Sequence, residues 1–168
     1  MTPPSIAGRI HVAHSDPAER RESNYIAQVD LAPFGLSGQF EQVWLHELGG
    51  ETYALACIPF MFYGLALGDV VTLGSTGTVT ALREPSGHRV LRMLLADDPD
   101  TGRLASAVEQ VKASITAAGL LNEWHGPRFI AVDVPPGVVP QGVFDAMGGI
   151  VDEGRGTWEW ADAQEFSA

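Results

Sequence analysis

The sequence contains one cysteine, one lysine and few basic residues of any kind. The single cysteine, Cys57, excludes an internal disulfide framework and a cysteine-rich zinc site, and it favours a reducing compartment. Only 10 basic residues stand against 21 acidic ones, and the net charge of -11 argues against binding to nucleic acid or to anionic membranes. We therefore expect a cytoplasmic protein whose charged partners are basic.

A long uninterrupted apolar stretch is also absent. The longest candidate is YALACIPFMFYGLALGDVV, residues 53–71, which we call the uncharged run because no charge occurs between Thr52 and Gly68. It is slightly short for a membrane span of about 20 residues, and Pro59 and Gly64 would break it as a helix. The opening MTPPSIAGRI has no apolar core of signal-peptide length. We therefore predict that the uncharged run lies in the interior.

The first half of the chain has the pattern of short strands. GRIHVAH predicts a weak first strand, and the polar HSDPAERRESN predicts a linker, so residues 1–25 are expected to be a weak strand with a mobile segment. FEQVWLHEL and ETYALACI flank Gly49 and Gly50, as in a β-hairpin, and VVTLG and TVTALRE form a second one. These strands predict a small antiparallel β-barrel or sandwich over residues 26–85, with the uncharged run crossing one end as its plug.

The second half, residues 86–168, alternates strands and helices. HRVLRMLLA is a strand, and RLASAVEQVKASITAAG is a helix with an apolar stripe at Leu104, Val108, Val111 and Ile115. LLNEW, RFIAVDVP, PQGVFDAMGG and TWEWAD continue as strand, strand, helix and strand. This order predicts a ferredoxin-like, or split βαβ, sandwich, and the whole chain is predicted to be an α+β protein. We expect the sheet face away from the helices to be solvated or occupied by a partner.

Four motifs in this order, IPFMFYGLALGDVV, SGHRVLRM, IAVDVPP and GTWEWADA, resemble a bacterial domain-of-unknown-function family, number four-two-six-five. The resemblance covers roughly residues 38–163. It implies a cytoplasmic bacterial protein whose two halves form one unit. It supplies no catalytic residues to carry over, and the charged segment before residue 38 looks like an addition to the family pattern.

Two polar residues of the second half are candidates for a site. His88 follows the Ser86–Gly87 turn at the join of the halves, and is either a general base or ligand anchor, or a histidine that holds the turn. It is a weak catalytic candidate, since spacing links no nucleophile or acid to it. Asp133 alternates with Phe129 and Ala131 on one face of its strand, and we expect it to be a solvated carboxylate rather than a functional one.

Trp158 and Trp160 stand two residues apart on the last strand, so they share a face while Glu159 points to the other. On an open face the two indoles would form a recognition patch flanked by acids; on the helix-covered face they would be core. The sequence contains no HExxH motif, phosphate-binding glycine loop or dinucleotide fingerprint. We predict neither a metal site nor a cofactor.

Two functions remain open. The first is a non-catalytic acidic binding module, immunity-like or regulatory, that engages a basic protein partner through Trp158, Trp160 and their acidic surroundings. The alternative is a small-molecule enzyme or sensor with a pocket between the halves, lined by residues of the uncharged run and polarised by His88. The residues expected to line that pocket are Phe60, Phe62 and Tyr63. Pairing of sheet edges could also produce a homodimer.

Overall fold

The computed structural model of the chain describes residues 10–168. The predicted mobile start of the chain, residues 1–9, lies outside the described residues. The elements in chain order are β1 (Ile10–Val12), β2 (Tyr25–Asp30), a short 3-10 helix (Ala32–Phe34), β3 (Gln39–Gly49), β4 (Thr52–Leu55), β5 (Val70–Leu73), β6 (Val79–Glu84), β7 (Arg89–Leu95), α1 (Thr101–Ala118), β8 (Asn122–His125), β9 (Phe129–Val134), α2 (Gln141–Asp152) and β10 (Gly156–Trp160). The architecture is a mixed α+β fold with two sheets and two helices. No helix within residues 10–168 is long and apolar enough to cross a membrane.

The first sheet contains β1 to β6 in the order β1-β3-β4-β5-β6, with β2 paired to β3. All its ladders are antiparallel except the parallel pairing of β1 with β3. The sheet curls until Gln28 of β2 meets Thr78 in a single bridge, where the Gln28 N–H donates to the Gly77 carbonyl at 3.1 Å. The described strands form no closed barrel, because β2 and β6 meet at this bridge and not along a ladder.

β2 was not among the predicted strands, which passed from GRIHVAH directly to the strand that begins at Phe40. It pairs with β3 from Tyr25 opposite Leu45 to Asp30 opposite Phe40. Ala27 and Val29 are buried in the core on alternate positions. The alternation of apolar and polar residues in this strand is visible in the sequence. It spans only six residues and directly follows a polar segment, so it did not predict a strand.

The second sheet has the order β10-β7-β9-β8, and all its ladders are antiparallel. Asp100 caps the start of α1, and its carboxylate accepts from the Gly102 and Arg103 N–H groups; Gly119, with a φ of 67°, caps the end. Of the predicted stripe on α1, Val111 and Ile115 are buried, while Leu104 and Val108 are partly buried. Both helices pack on the face of the sheet that carries Leu91, Met93 and Leu95.

The other face of the second sheet is covered by the first half of the same chain. Val90 of β7 and Ala131 of β9 belong to one buried cluster with Val43, Phe60 and Phe62. The expectation of a solvated or partner-covered face was therefore wrong for most of this face, because the first sheet and the uncharged run fill that position; the part around Leu94, which is 45% exposed, stays open. The two halves share an apolar interior, and burial of this interior is the main favourable term in folding.

Between β4 and β5 the chain crosses from one strand to the next without regular structure, over residues 56–69, which we call the crossing segment. Gly64 in this segment has a φ of 80° and donates its N–H to the Ala161 carbonyl at 2.9 Å. The C-terminal tail lies directly on it, and a Cβ atom at Gly64 would stand 2.0 Å from the Phe166 nitrogen. Gly64 is thus required both for its backbone conformation and for the close approach of the tail.

We expect Gly64→Ala to destabilise the protein by on the order of 3 kcal/mol, because it adds a backbone clash to the strain of a positive φ. Gly77→Ala is the matched control, since Gly77 has a φ of +75° and a Cβ atom added there would meet no heavy atom within 4 Å. Urea unfolding of both variants separates the two effects. Equal losses of stability would show that the tail does not rest on Gly64.

Candidate functional site

Two carboxylates hold the crossing segment from opposite sheets. Glu41 on β3 accepts from the backbone N–H of Phe60 at 2.8 Å and of Met61 at 2.7 Å. Glu123 on β8 accepts from the backbone N–H of Ile58, and from that of Ala18 at 3.3 Å. Each carboxylate therefore satisfies buried N–H groups that no strand pairs.

His14 lies between these two carboxylates and contacts both. Its Nε2 is 2.9 Å from Glu41 Oε1, and its Nδ1 is 2.7 Å from Glu123 Oε1. The ring also stacks on Phe60, with centroids 4.2 Å apart. We call Glu41, His14 and Glu123 the His14 network; it joins the segment after β1 to one strand of each sheet.

Both ring nitrogens of His14 face carboxylate oxygens, so both donate when the imidazole is protonated. Burial lowers the pKa of His14, but contacts with Cys57, Glu123 and Glu41 outweigh this effect and raise the pKa to about 12. The network then contains one cation and two anions in a position closed to solvent. Burial raises the pKa of the neighbouring Cys57 thiol, which places this cysteine outside nucleophilic chemistry.

A buried arginine fixes the other side of the crossing segment. Arg92 on β7 donates from one terminal nitrogen to the carbonyls of Phe60 at 2.6 Å and Phe62 at 2.7 Å. Its other terminal nitrogen lies 2.9 Å from Glu159, and its guanidinium stands 4.4 Å from the centre of the Tyr63 ring. Phe60 is thus bound through its N–H by Glu41 and through its carbonyl by Arg92, and each of these two side chains also binds one neighbouring residue of the crossing segment.

The three aromatic residues that were expected to line a pocket, Phe60, Phe62 and Tyr63, do not lie beside His88. Phe60 and Phe62 are fully buried in the shared core, and the Tyr63 hydroxyl donates to Glu159 at 2.8 Å. Because Glu41 and Arg92 hold the backbone between them, the rings point into the interior and not toward His88. Neither Phe60 nor Phe62 lines the concave space that contains His88.

His88, directly before β7, and Asp133 of β9 form a hydrogen-bonded pair. The His88 Nδ1 lies 2.8 Å and 3.0 Å from the two oxygens of Asp133. Asp133 is only 1% exposed, so the expectation of a solvated carboxylate was wrong; the first half of the chain covers its face of the sheet. Burial raises the pKa of Asp133, and the hydrogen bond from His88 partly opposes that rise.

The turn before His88 is held by Ser86. The Ser86 hydroxyl donates to the Leu67 carbonyl at 2.7 Å and accepts from the His88 N–H at 3.2 Å, while the Ser86 N–H donates to Asp69 at 2.7 Å. The hydroxyl hydrogen is therefore engaged by a backbone carbonyl, and Ser86 is not arranged as a nucleophile. Within residues 10–168, the His88 Nε2 has no protein hydrogen-bond partner, and the His88 side chain is 28% exposed.

A cavity of about 170 Å³ lies beside His88 at the join of the halves. Arg89 and Asp162, which also border it, form an ion pair with a distance of 2.7 Å. The remaining wall includes Gly64, Gly87 and Leu82. The site therefore offers a carboxylate-oriented imidazole beside a small concave space.

Trp158 and Trp160 lie on the helix-covered face, at the outer edge of the second sheet. Their ring centroids are 6.1 Å and 5.8 Å from that of Phe144 on α2. Trp160 is partly buried, and the Arg89 guanidinium lies 3.7 Å from the centre of its ring in a cation–π contact. Trp158, by contrast, is 43% exposed. Glu159 points to the opposite face, where it meets Arg92 and Tyr63.

The His14 network was missed by sequence reasoning. The one available signal is that Glu41 stands in phase with Val43 and Leu45 on β3, and so occupies a core position where a carboxylate needs partners. Nothing in the sequence indicates which partners these are. Within the part of the chain that the structure describes, no group of three or more His, Cys, Asp or Glu side chains is arranged to hold a metal ion.

The fold and its sites define an α+β protein built from two sheets with a common interior. The chain belongs to the family described as a domain of unknown function, DUF4265, whose profile matches residues 41–160. Its fold is similar to that of a hypothetical protein from Neisseria gonorrhoeae, with a TM-score of 0.63 and 15% identity over 88% of this chain and 100% of that chain. No curated protein matches the chain.

We expect the His14 imidazole to remain doubly protonated at pH 9, because its pKa is raised to about 12 by the groups around it. Nitrogen-15 chemical shifts of the histidine rings measure this directly. His11, three residues earlier and exposed, is the internal reference. Titration of His14 between pH 6 and 7 would contradict the charged network.

Replacing His14 by alanine leaves two carboxylates in the interior without their cation. We expect a loss of roughly 3–5 kcal/mol in the free energy of unfolding, since removal of one partner of a buried ion pair strands the other. His11→Ala should change stability by less than about 0.5 kcal/mol. Urea unfolding at pH 7 compares the two, and equal stability of both variants would show that the network contributes little.

Proposed function

We propose that this protein is a non-catalytic acidic binding module, immunity-like or regulatory, that engages a basic protein partner. One observation carries the proposal: Trp158, a large aromatic side chain, is 43% exposed on an edge strand of a strongly acidic protein. Indoles in such positions are frequent anchors of protein interfaces. Carboxylates around them steer a basic partner and speed its encounter.

The distribution of charge supports this proposal. The formal net charge is -11, and several of the described basic residues, including Arg89, Arg92 and Arg155, are already paired with carboxylates of the same chain. Several buried charges have partners within the fold: His14 contacts both carboxylates of its network, and Arg92 contacts Glu159 and two backbone carbonyls. The excess charge is therefore negative, and most of the acidic side chains that carry it lie at the surface.

We also propose a finer description of the fold and its setting. The strand order β10-β7-β9-β8, with α1 after β7 and α2 after β9, supports a ferredoxin-like unit over residues 86–168. The curled first sheet supports an incomplete barrel over residues 26–85. The buried free thiol of Cys57 favours a cytoplasmic location.

Truncation of both indoles tests the binding proposal. We expect Trp158→Ala with Trp160→Ala to weaken binding of the partner by about 30-fold to 1,000-fold, which corresponds to 2 to 4 kcal/mol. A basic protein captured from the native host and then purified serves as ligand in calorimetry. Leu121→Ala is the control, because Leu121 is an exposed apolar residue remote in sequence from β10. Unchanged affinity in the folded double variant would remove the indoles from the interface.

A small-molecule enzyme or sensor is the second candidate function, and the cavity beside the His88–Asp133 pair favours it. A buried carboxylate that orients a histidine leaves the second ring nitrogen free to accept or donate a proton. The cavity volume of about 170 Å³ restricts a fully enclosed ligand to a few heavy atoms. Arg89 at the wall adds a positive group beside the imidazole.

His88→Gln separates ligand binding from a structural role. If His88 serves a ligand, we expect the variant to melt within a few degrees of the wild type and to lose the chemical-shift changes that small carboxylic acids, alcohols and amides produce around the cavity. If His88 only holds the turn to β9, the melting temperature falls and no compound in the panel perturbs the wild-type cavity. The second pattern would exclude the small-molecule site.

A further inference from the structure

We propose that the outer edge of β10 is a strand-addition site, which receives an extended basic segment of the partner. This inference rests on the proposed binding function and specifies its geometry. We call Gly156–Trp160, with the unpaired side of its backbone, the β10 edge. Among residues 10–168, β10 pairs with β7 only, so its other side is the border of the second sheet.

The hydrogen bonds at both ends of β10 show which residues point outward. The Arg155 carbonyl accepts from the Ala96 N–H at 2.9 Å, and the Ala161 N–H donates to the Val90 carbonyl at 2.9 Å. In an antiparallel ladder, alternate residues bond to the same neighbour. Thr157 and Glu159 therefore bond toward β7, while Trp158 directs its N–H and carbonyl away from the sheet. An added strand would meet these two groups.

The β10 edge lacks three of the features that usually prevent strand addition, although it is only five residues long and carries the charged Glu159. It contains no proline and no lysine, and its register with β7 runs without a bulge from Gly156 opposite Leu95 to Trp160 opposite Leu91. Thr157, Trp158 and Glu159 are all exposed. The C-terminal tail that follows β10 turns away from the edge, since Phe166 packs against Phe34 and Phe62 of the first half.

A hollow of about 300 Å³ lies beside this edge, on the sheet face away from the helices, and extends over β7 to β9. It is lined by Leu94, Phe129, Thr157 and Glu159, together with Arg92 and Trp158. Leu94 is 45% exposed there, which is unusual for a leucine in an inner strand of a sheet. Side chains of an added strand alternate between two faces, so one set would reach Trp158 and the long side chains of the other set would extend across Thr157 and Glu159 toward this hollow.

The chemistry of the edge favours arginine on the Trp158 side. Trp160 already carries the Arg89 guanidinium 3.7 Å from its ring centre, and that guanidinium is paired with Asp162 at 2.7 Å. Trp158, two residues earlier on the same face of β10, also has an indole ring, and its side chain is 43% exposed. An arginine of the partner would repeat the Arg89 arrangement at Trp158. A second copy of this chain is a poorer occupant, because each copy has a net charge of -11.

Synthetic peptides test the inference. The probe is a ten-residue peptide of alternating arginine and valine; its controls carry aspartate for arginine, or N-methyl groups on alternate backbone nitrogens. We expect the arginine peptide to bind, to shift the amide resonances of β10, and to lose at least tenfold in affinity when N-methylated. The aspartate peptide should not bind.

Two variants at one position isolate the backbone contribution. Trp158→Pro removes the outward N–H but leaves the bonds of Thr157 and Glu159 to β7, whereas Trp158→Val keeps that N–H without the indole. We expect the proline variant to bind the arginine peptide at least tenfold more weakly than the valine variant. Should the proline variant fail to fold, the N-methylated peptide decides the same question.

The outcomes distinguish this inference from the proposed function. The β10 edge would be excluded as the site if N-methylation left the affinity of the arginine peptide unchanged, or if the amide resonances that shift lay away from β10. The proposed binding of a basic partner by this acidic protein would still stand. In a further outcome, the arginine peptide fails to bind while a native basic partner binds in a way that depends on Trp158. That result would overturn strand addition and leave the proposed binding function standing. A dimer seen by light scattering and abolished by Trp158→Pro would show that a second copy occupies the edge, which contradicts the basic partner.

Discussion

The His14 network is the interaction on which the rest of this structure depends. A protonated imidazole between Glu41 and Glu123 joins the segment after β1 to β3 of the first sheet and β8 of the second. Carboxylates in an apolar interior are costly unless a cation and hydrogen-bond donors compensate them. Here the compensation comes from His14 and from backbone N–H groups of the crossing segment. The network therefore stabilises an irregular backbone that no ladder could satisfy.

This constraint determines where recognition can occur. Glu41 and Arg92 hold the crossing segment so that Phe60 and Phe62 fill the interior between the sheets. Most of the inner face of the second sheet is consequently covered, and Asp133 is buried against His88. The join beside His88 and the outer edge at β10 remain accessible, together with the part of the inner face around Leu94. The join and the edge lie at borders of the second sheet, where the first half ends.

Much of the secondary structure could be predicted from the sequence. Asp100 and Gly119 mark the ends of α1, and the paired glycines Gly49 and Gly50 mark the turn between β3 and β4. The motifs from IPFMFYGLALGDVV to GTWEWADA indicated the family, and that assignment is confirmed by the match over residues 41–160. β2 was missed because a strand of six residues beside a polar segment gives a weak periodic signal.

The sequence by itself determined which residues share a face, because side chains alternate along any strand. Trp158 and Trp160 on one face, Glu159 on the other, and Asp133 opposite Ile130 and Val132 all follow from that period of two. Only the tertiary structure decided what each face meets. Whether Asp133 is solvated, and which cation compensates Glu41, depends on contacts between residues 27 to 109 positions apart, such as His14 with Glu41 and Glu123. Those contacts arise from the packing of two sheets, and no local pattern encodes them.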